Sequence, residues 1–463
     1  MLRCAVAGLA TCAVAAKAHG PPVPPTAVQA QRWPQCLPFY TSQGGTVIYH
    51  NPPLSTCGPT DAFVSPTNLS GPDTLCNAPG AYPILWNVGG CSIYGPQQRC
   101  NASTRDPMPV DVTKFGILGA NWTQTNIPTL QGSTNWQPSF RSLMPVVALN
   151  GSGVLLNGGV PQNGNLTAFV EQLRSQVPRW IPAVQYTGLA VLDFESWSTV
   201  WELNTEAGGA WHGQVYQNIS KQLVRERHPS WSEAQVEARA KEEFETAATE
   251  WFVTTLEVCK QMRPHAKWGW YGLPQGSAPI EYGQRQMPVF LAADAIYPSI
   301  YDYGDCSGTA SEVQAQEAFV GSLVTQSVAL AKAVFATQPG RARPPPVYPF
   351  ASEVCRAAGP PILPQEDLRA SLVSPYAAGA SGVVIWGMPA GDMAEAKLNS
   401  TQYWAHVEAV TGPMAQRVSR DAERCAVESC SGNGRCLLLP NVRVAWLLSF
   451  AVLCGPPLCD WTL

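Results

Sequence analysis

The sequence predicts an α/β fold, a distorted (β/α) barrel, on three observations. Short apolar runs with uncharged interiors recur at 114–119, 144–149, 188–193, 267–273, 295–301, 347–350 and 382–386, as expected of strands buried on both faces. Helical patterns stand between several of them, at 166–173, 232–262, 311–336 and 365–377, and such alternation builds parallel strands with right-handed crossovers. The chain has 463 residues, enough for a barrel of about 250 to 350 residues with smaller appendages.

In chain order, residues 1–18 have the layout of a secretory signal peptide. Arg3 precedes an apolar stretch from Cys4 to Ala16, and Ala16-Lys17-Ala18 offers a cleavage site, so the mature chain is expected to begin near His19. No other stretch approaches the roughly 20 apolar residues of a membrane span, and a soluble, exported protein is expected. Of the 15 cysteines, Cys4 and Cys12 leave with the signal. Thirteen remain (15 − 2), so at least one lacks an intramolecular partner. Asn-X-Ser/Thr sequons begin at Asn68, Asn101, Asn121, Asn150, Asn165, Asn218 and Asn399. With the cysteines, they favour an oxidising compartment and a glycoprotein. The net charge of −4 carries no basic footprint for nucleic acid. Attraction to an anionic polymer would have to come from a local patch.

Residues 19–81 are rich in Pro, Gly, Ser and Thr, hold Cys36, Cys57 and Cys76, and read as a disulfide-tied, loop-rich extension. The run 188–193 then ends in Asp193 and Glu195, whose spacing puts both carboxylates on one face of a strand. At the C-terminal end of a barrel strand they would face the cleft. Two like charges that close favour keeping one carboxyl protonated, the equipment of a glycosidase. The same residues also fit a plain strand end before a loop.

The segment 232–262 is the clearest helix, opened by a Ser232-x-x-Gln235 capping box and stopped by Pro264. Val236, Ala240, Phe244, Ala247, Trp251 and Thr255 form its apolar stripe. Beyond it several strands end in aromatic residues, which would bring Tyr271, Tyr301 and Trp386 to the cleft of Asp193 and Glu195, although strand-end aromatics equally serve core packing. Near the end, an apolar run at 444–453 is too short to span a membrane. His19, His50, His212, His228, His265 and His406 have no ligand-like spacing, so neither metal nor other cofactor is expected.

Several blocks resemble the hyaluronidases, the endo-β-N-acetylhexosaminidases of glycoside hydrolase family 56, in the family's order. They are Trp86-Asn87, Val160-Pro161-Gln162-Asn163, Asp193-Phe194-Glu195-Ser196-Trp197, the run from Gln222 to Trp231, Gly269-Trp270-Tyr271-Gly272-Leu273-Pro274, Tyr297-Pro298-Ser299-Ile300-Tyr301 and Gly382-Val383-Val384-Ile385-Trp386. Cys425 and Cys430-Ser431-Gly432-Asn433-Gly434-Arg435-Cys436 resemble the start of an EGF-like appendage. The resemblance implies a TIM-like barrel over 82–418, with a partial EGF-like appendage and tail over 419–463. It implies Glu195 as general acid and then base, with Asp193 and Tyr271 orienting the substrate's acetamido group. Tyr301 and Trp386 would shape the sugar subsite. The implied partner is a glycosaminoglycan, hyaluronan or chondroitin; chitin-like cleavage and a catalytically weak glycan-binding barrel are the alternatives.

The chain departs from the family at identifiable places. Ser198 stands where many members carry an arginine that would supply a groove cation, and Gln275-Gly276-Ser277 replaces Asp-Cys-Tyr-Asn. Cys100 resembles a family cysteine whose usual partner is here Ser400, leaving Cys91 as one candidate partner. Cys306 and Cys355, each just after a strand, are candidates for a bridge peculiar to this chain.

Overall fold

A computed structural model describes residues 40–43, 46–49, 82–88, 110–117, 120–121, 124–125, 129–131, 143–148, 153–181, 184–205, 214–275, 279–341, 343–356, 362–387, 398–430, 435–436 and 459–460. The expected signal peptide, Cys36, Cys57, Cys76, Cys91, Cys100, Gly276, Ser277 and the run 444–453 lie outside these residues. Two units divide at His50. In the first, Tyr40–Gln43 and Thr46–Tyr49 form an antiparallel hairpin on either side of Gly44-Gly45, so this part of the loop-rich extension holds regular structure.

The second unit is organised by parallel strands. Ile84–Val88 pairs with Val383–Gly387, and the latter with Phe350–Ser352. Parallel bridges Ser299↔Phe350, Ile296↔Val347 and Tyr271↔Tyr297 continue the series. Lys267–Trp270 then pairs with Leu189–Asp193, which pairs with Thr129–Gln131. The helices Glu233–Met262, Ala310–Thr337 and Gln365–Leu372 lie between consecutive strand segments, the crossovers that parallel pairing requires.

Side-chain alternation explains why the strands read as unbroken apolar runs. Leu189 and Val191 point into one buried cluster with Leu85, Ala295, Tyr297, Tyr348, Phe350 and Val384. Ala190 and Leu192 face the opposite way, into a cluster with Phe244, Phe252 and Leu256 of the long helix. Both faces are covered, so neither tolerates charge. The inner face is tight: a Cβ on Gly269 would come within 2.2 Å of the Ala295 carbonyl oxygen and 2.9 Å of the Tyr297 ring.

The helix Glu233–Met262 opens with both halves of the expected capping box. Its buried stripe contains Ala248 where Ala247 was expected, a drift within the 3.6-residue period. The expected helix 166–173 continues to Trp180, capped by Asn165, whose Oδ1 accepts from the Ala168 amide at 3.0 Å. The expected helix 365–377 breaks at Val373, between Gln365–Leu372 and Ser374–Ala377. Pro375 has no N–H to continue the ladder.

Other expectations are corrected. Over the described part of the run 114–119, residues 114–117, there is no extended strand: Val112–Phe115 is a 3-10 turn, followed by Gly116 at φ 74°. Among the described residues 144–148 only Val146–Val147 is strand, and it pairs antiparallel with Leu155–Leu156. At 295–301 the pairing is reduced to isolated bridges around Pro298, which has no donor for a ladder. Contrary to expectation, among the described residues one helix, Ala310–Thr337, is long and apolar enough to cross a membrane by length and composition. Val313, Val320, Leu323, Val324, Leu330 and Val334 on it are buried, and it packs against Gln365–Leu372.

Cys306 and Cys355 are disulfide-bonded, with Cα atoms 6.0 Å apart. Cys425 is also disulfide-bonded, while Cys259 is free and buried in the helix–strand core. Helix Gly412–Cys430 contains both Cys425 and Cys430, and beyond it Arg435–Cys436 pairs antiparallel with Cys459–Asp460.

Candidate active site

Asp193 is the last residue of its strand, in register with Gln131, and is half-buried. It continues the inward row of Leu189 and Val191. Phe194 is buried in the outer cluster, its ring 4.6 Å from Trp197 and 6.2 Å from Phe252. Alternation then puts Asp193 and Glu195 on the other side, where Glu195 is exposed.

The segment that follows is pinned. Trp197 Nε1 donates to the Pro145 carbonyl at 2.7 Å, and the Ser198 amide donates to Asn204 Oδ1 at 2.9 Å. Asn204 Nδ2 returns donors to the carbonyls of Ser198 and Val200 at 3.1 and 2.9 Å. Gln286 Nε2 donates to Thr199 Oγ1 at 2.8 Å, and the Trp201 amide to Glu245 Oε1 at 2.7 Å. Arg285 pairs with both Glu245 and Glu202, and Lys241 with Glu202. The helices thus clamp the loop behind the acid pair. Ser198 is 3% exposed, so a long cation there would have to displace this packing rather than lie in an open groove.

Tyr271 follows its strand directly. Its amide donates to the Leu192 carbonyl at 2.8 Å and its hydroxyl to Ser299 Oγ at 3.1 Å. Its ring lies 6.2 Å from Tyr301 and edge-on to Phe350 at 5.2 Å. Trp386 sits in register between Ser352 and Asn87 and, like Tyr271, packs on the inner cluster, to which Tyr301 belongs. A rim of Asn87, Asp193, Tyr271, Ser299, Ser352 and Trp386 therefore lies one step beyond an apolar layer.

The electrostatics tie Glu195 to this rim. Burial raises the Tyr271 hydroxyl pKa well above its ordinary value, and the charges of Tyr301 and Glu195 add to the rise. Burial likewise raises Tyr301; Arg356 opposes and Glu195 reinforces the shift. Both hydroxyls stay protonated at working pH and can donate hydrogen bonds. Arg356 lies with its guanidinium carbon 4.7 Å from the Tyr301 ring centroid. Ser352 and Arg356 carried no sequence signal as site residues, and Ser299 was marked only by its place in a family-like block and at a strand end.

Carboxylates and aromatics at the C-terminal rim of parallel strands define a carbohydrate-active α/β protein. The sequence profile of the hyaluronidase family matches residues 82–449. Human hyaluronidase-1 is 30% identical over 360 residues, covering 74% of this chain and 77% of that protein. A chondroitin hydrolase of Caenorhabditis elegans is 27% identical over 398 residues, covering 82% and 79% respectively. With rat hyaluronidase-1 the identity is 29%, and the match covers 63% of this chain but 64% of the relative's length. The crystal structure of bee venom hyaluronidase superimposes with a TM-score of 0.57 at 25% identity, covering 73% of this chain and all of the other. The chain belongs to the hyaluronidase family of glycoside hydrolases.

Proposed function

We propose that this chain is a secreted, glycosylated endo-β-N-acetylhexosaminidase. It cleaves β-1,4 bonds of hyaluronan or chondroitin in a distorted TIM-like (β/α) barrel, followed by a partial EGF-like appendage. The observation that carries this reading is the meeting of Asp193, the last residue of its strand, with Tyr271, whose amide donates to the Leu192 carbonyl at 2.8 Å and whose ring lies 6.2 Å from Tyr301. The relatives named as hyaluronidase and chondroitin hydrolase support this substrate class.

In this mechanism protonated Glu195 gives its proton to the glycosidic oxygen as the bond to C1 breaks. The carbonyl oxygen of the substrate's own acetamido group attacks C1 from the opposite face, forming a cyclic oxazolinium. Asp193 accepts the acetamido N–H and stabilises the positive charge that develops there, while the Tyr271 hydroxyl orients the carbonyl oxygen. Tyr301 and Trp386 hold the N-acetylated ring, Trp386 against the acetamido methyl. Glu195, now ionised, takes a proton from water; the resulting hydroxide bond to C1 opens the ring and restores both the acetamide and protonated Glu195.

Two displacements at C1 retain configuration. NMR of a hyaluronan oligosaccharide during its first turnovers is expected to show β product before mutarotation. Early α product would overturn the mechanism, and absence of cleavage would overturn the hydrolase reading in favour of a glycan-binding protein.

A further inference from the structure

Some of the described arginines are committed to carboxylates. Arg225, Arg227, Arg239, Arg285, Arg369 and Arg424 form ion pairs with carboxylates. Arg356 is different: half-buried, it has no carboxylate within ion-pair distance among the described residues, and its Nε has no hydrogen-bond partner there. An unsatisfied buried donor carries a desolvation cost that a ligand would relieve.

Its placement is fixed from two directions. The Arg356 amide donates to the Asp302 carbonyl at 2.9 Å, and the preceding Cys355 is bridged to Cys306. The guanidinium is thereby held over the Tyr301 ring. Tyr303 completes the surroundings: its ring is 67% exposed. Partial desolvation raises its hydroxyl pKa, with Arg356 opposing and Glu195 reinforcing the change. The cation and the acid thus act on the same tyrosines.

We propose that Arg356 is the uronate receptor of the cleft, binding the carboxylate of the sugar next to the N-acetylhexosamine held on Tyr301. A guanidinium stacked on an aromatic face keeps its in-plane N–H fork available, and that fork matches a carboxylate in bidentate geometry. In hyaluronan and chondroitin every N-acetylated sugar is flanked by uronates, whereas chitin-like chains offer no carboxylate. Arg356 would supply from the Ser352 side the cation that the buried Ser198 position does not. This rests on the proposed function and narrows it to uronate-containing polymers.

The test uses the full chain carrying Glu195→Gln, so that ligands survive, and titrates a hyaluronan octasaccharide against the same oligomer with its carboxyls reduced to hydroxymethyl groups. With Arg356 present the acidic oligomer should bind about tenfold or more tighter. Arg356→Gln should bring the ratio close to one, and Arg356→Lys should restore part of it. The proposal is overturned if the parent shows no preference, if Arg356→Gln keeps the ratio, or if it weakens both ligands equally, as loss of support for Tyr301 would. Turnover by the otherwise unmodified chain, measured in parallel, reports separately on the hydrolase reading, because the binding ratio decides the receptor whether or not cleavage occurs.

Discussion

The loops after Leu189–Asp193 and after Phe350–Ser352 leave the same end of the parallel strands, yet they are held in opposite ways. The first donates hydrogen bonds to Asn204 Oδ1, Glu245 and the Pro145 carbonyl and accepts one from Gln286. The second is fixed covalently by Cys306–Cys355 and buries a carboxyl, Glu353, at 1% exposure. The first carries the acid pair, in a sequence block that resembles the family; the second carries Arg356 and a disulfide read as peculiar to this chain. On the proposed function and the proposed role of Arg356, reaction chemistry and polymer choice reside on separate supports that can be perturbed separately.

Tyr271→Phe is the sharpest perturbation of the first support short of removing the acid. It deletes one hydroxyl donor while keeping the ring contacts with Tyr301 and Phe350. A loss of about 100-fold in kcat is expected with KM little changed. A parallel rise in KM alone would move Tyr271 from the reaction to binding.

Removing the second support with Cys306→Ser and Cys355→Ser together should cost about 4 kcal/mol in denaturant unfolding, because a separation of 49 residues is closed by the bridge. The reaction machinery should suffer less than binding of acidic oligomers. Equal loss in both would erase the division between the two loops.

A smaller effect is expected from Glu353→Gln. Burial pushes the Glu353 carboxyl up to about 7, and the Tyr403 hydroxyl, donating at 2.6 Å, offsets part of that push. The unfolded chain releases this proton near the ordinary glutamate range of about 4.3, whereas the folded chain holds it to about 7. Between these values the folded state binds more protons, so this group's contribution is full below the lower value and is lost as pH rises to about 7. Glu353→Gln should match the parent chain near pH 4 and exceed it in unfolding free energy above pH 7, by an amount on the order of 3 kcal/mol. A difference independent of pH would show that Glu353 does not titrate in this window.

The parallel strands were legible because burial on both faces leaves a run such as Leu189 to Leu192 without charge. The long helix was legible because Ser232 and Gln235 announce its start. Direction of pairing was not: Val146 and Val147 read like parallel strand residues, and only the partners Leu155 and Leu156 make them a hairpin. The Cys306–Cys355 bridge was within reach because both residues follow strands. Arg356 was not, since its stacking on Tyr301 joins loops distant in sequence. Ser198 was read as a lost groove cation, yet its burial depends on Asn204, which no local pattern announced.

The most direct measurement is reducing-end release from hyaluronan, chondroitin and a chitin oligomer, by the full chain and by its Glu195→Gln variant, from acidic to neutral pH. The account predicts cleavage of at least one uronate polymer, no cleavage of chitin, and a loss of at least about 1,000-fold in the variant. A Glu195→Gln variant that still cleaves, or a parent chain that cleaves only chitin, would contradict it.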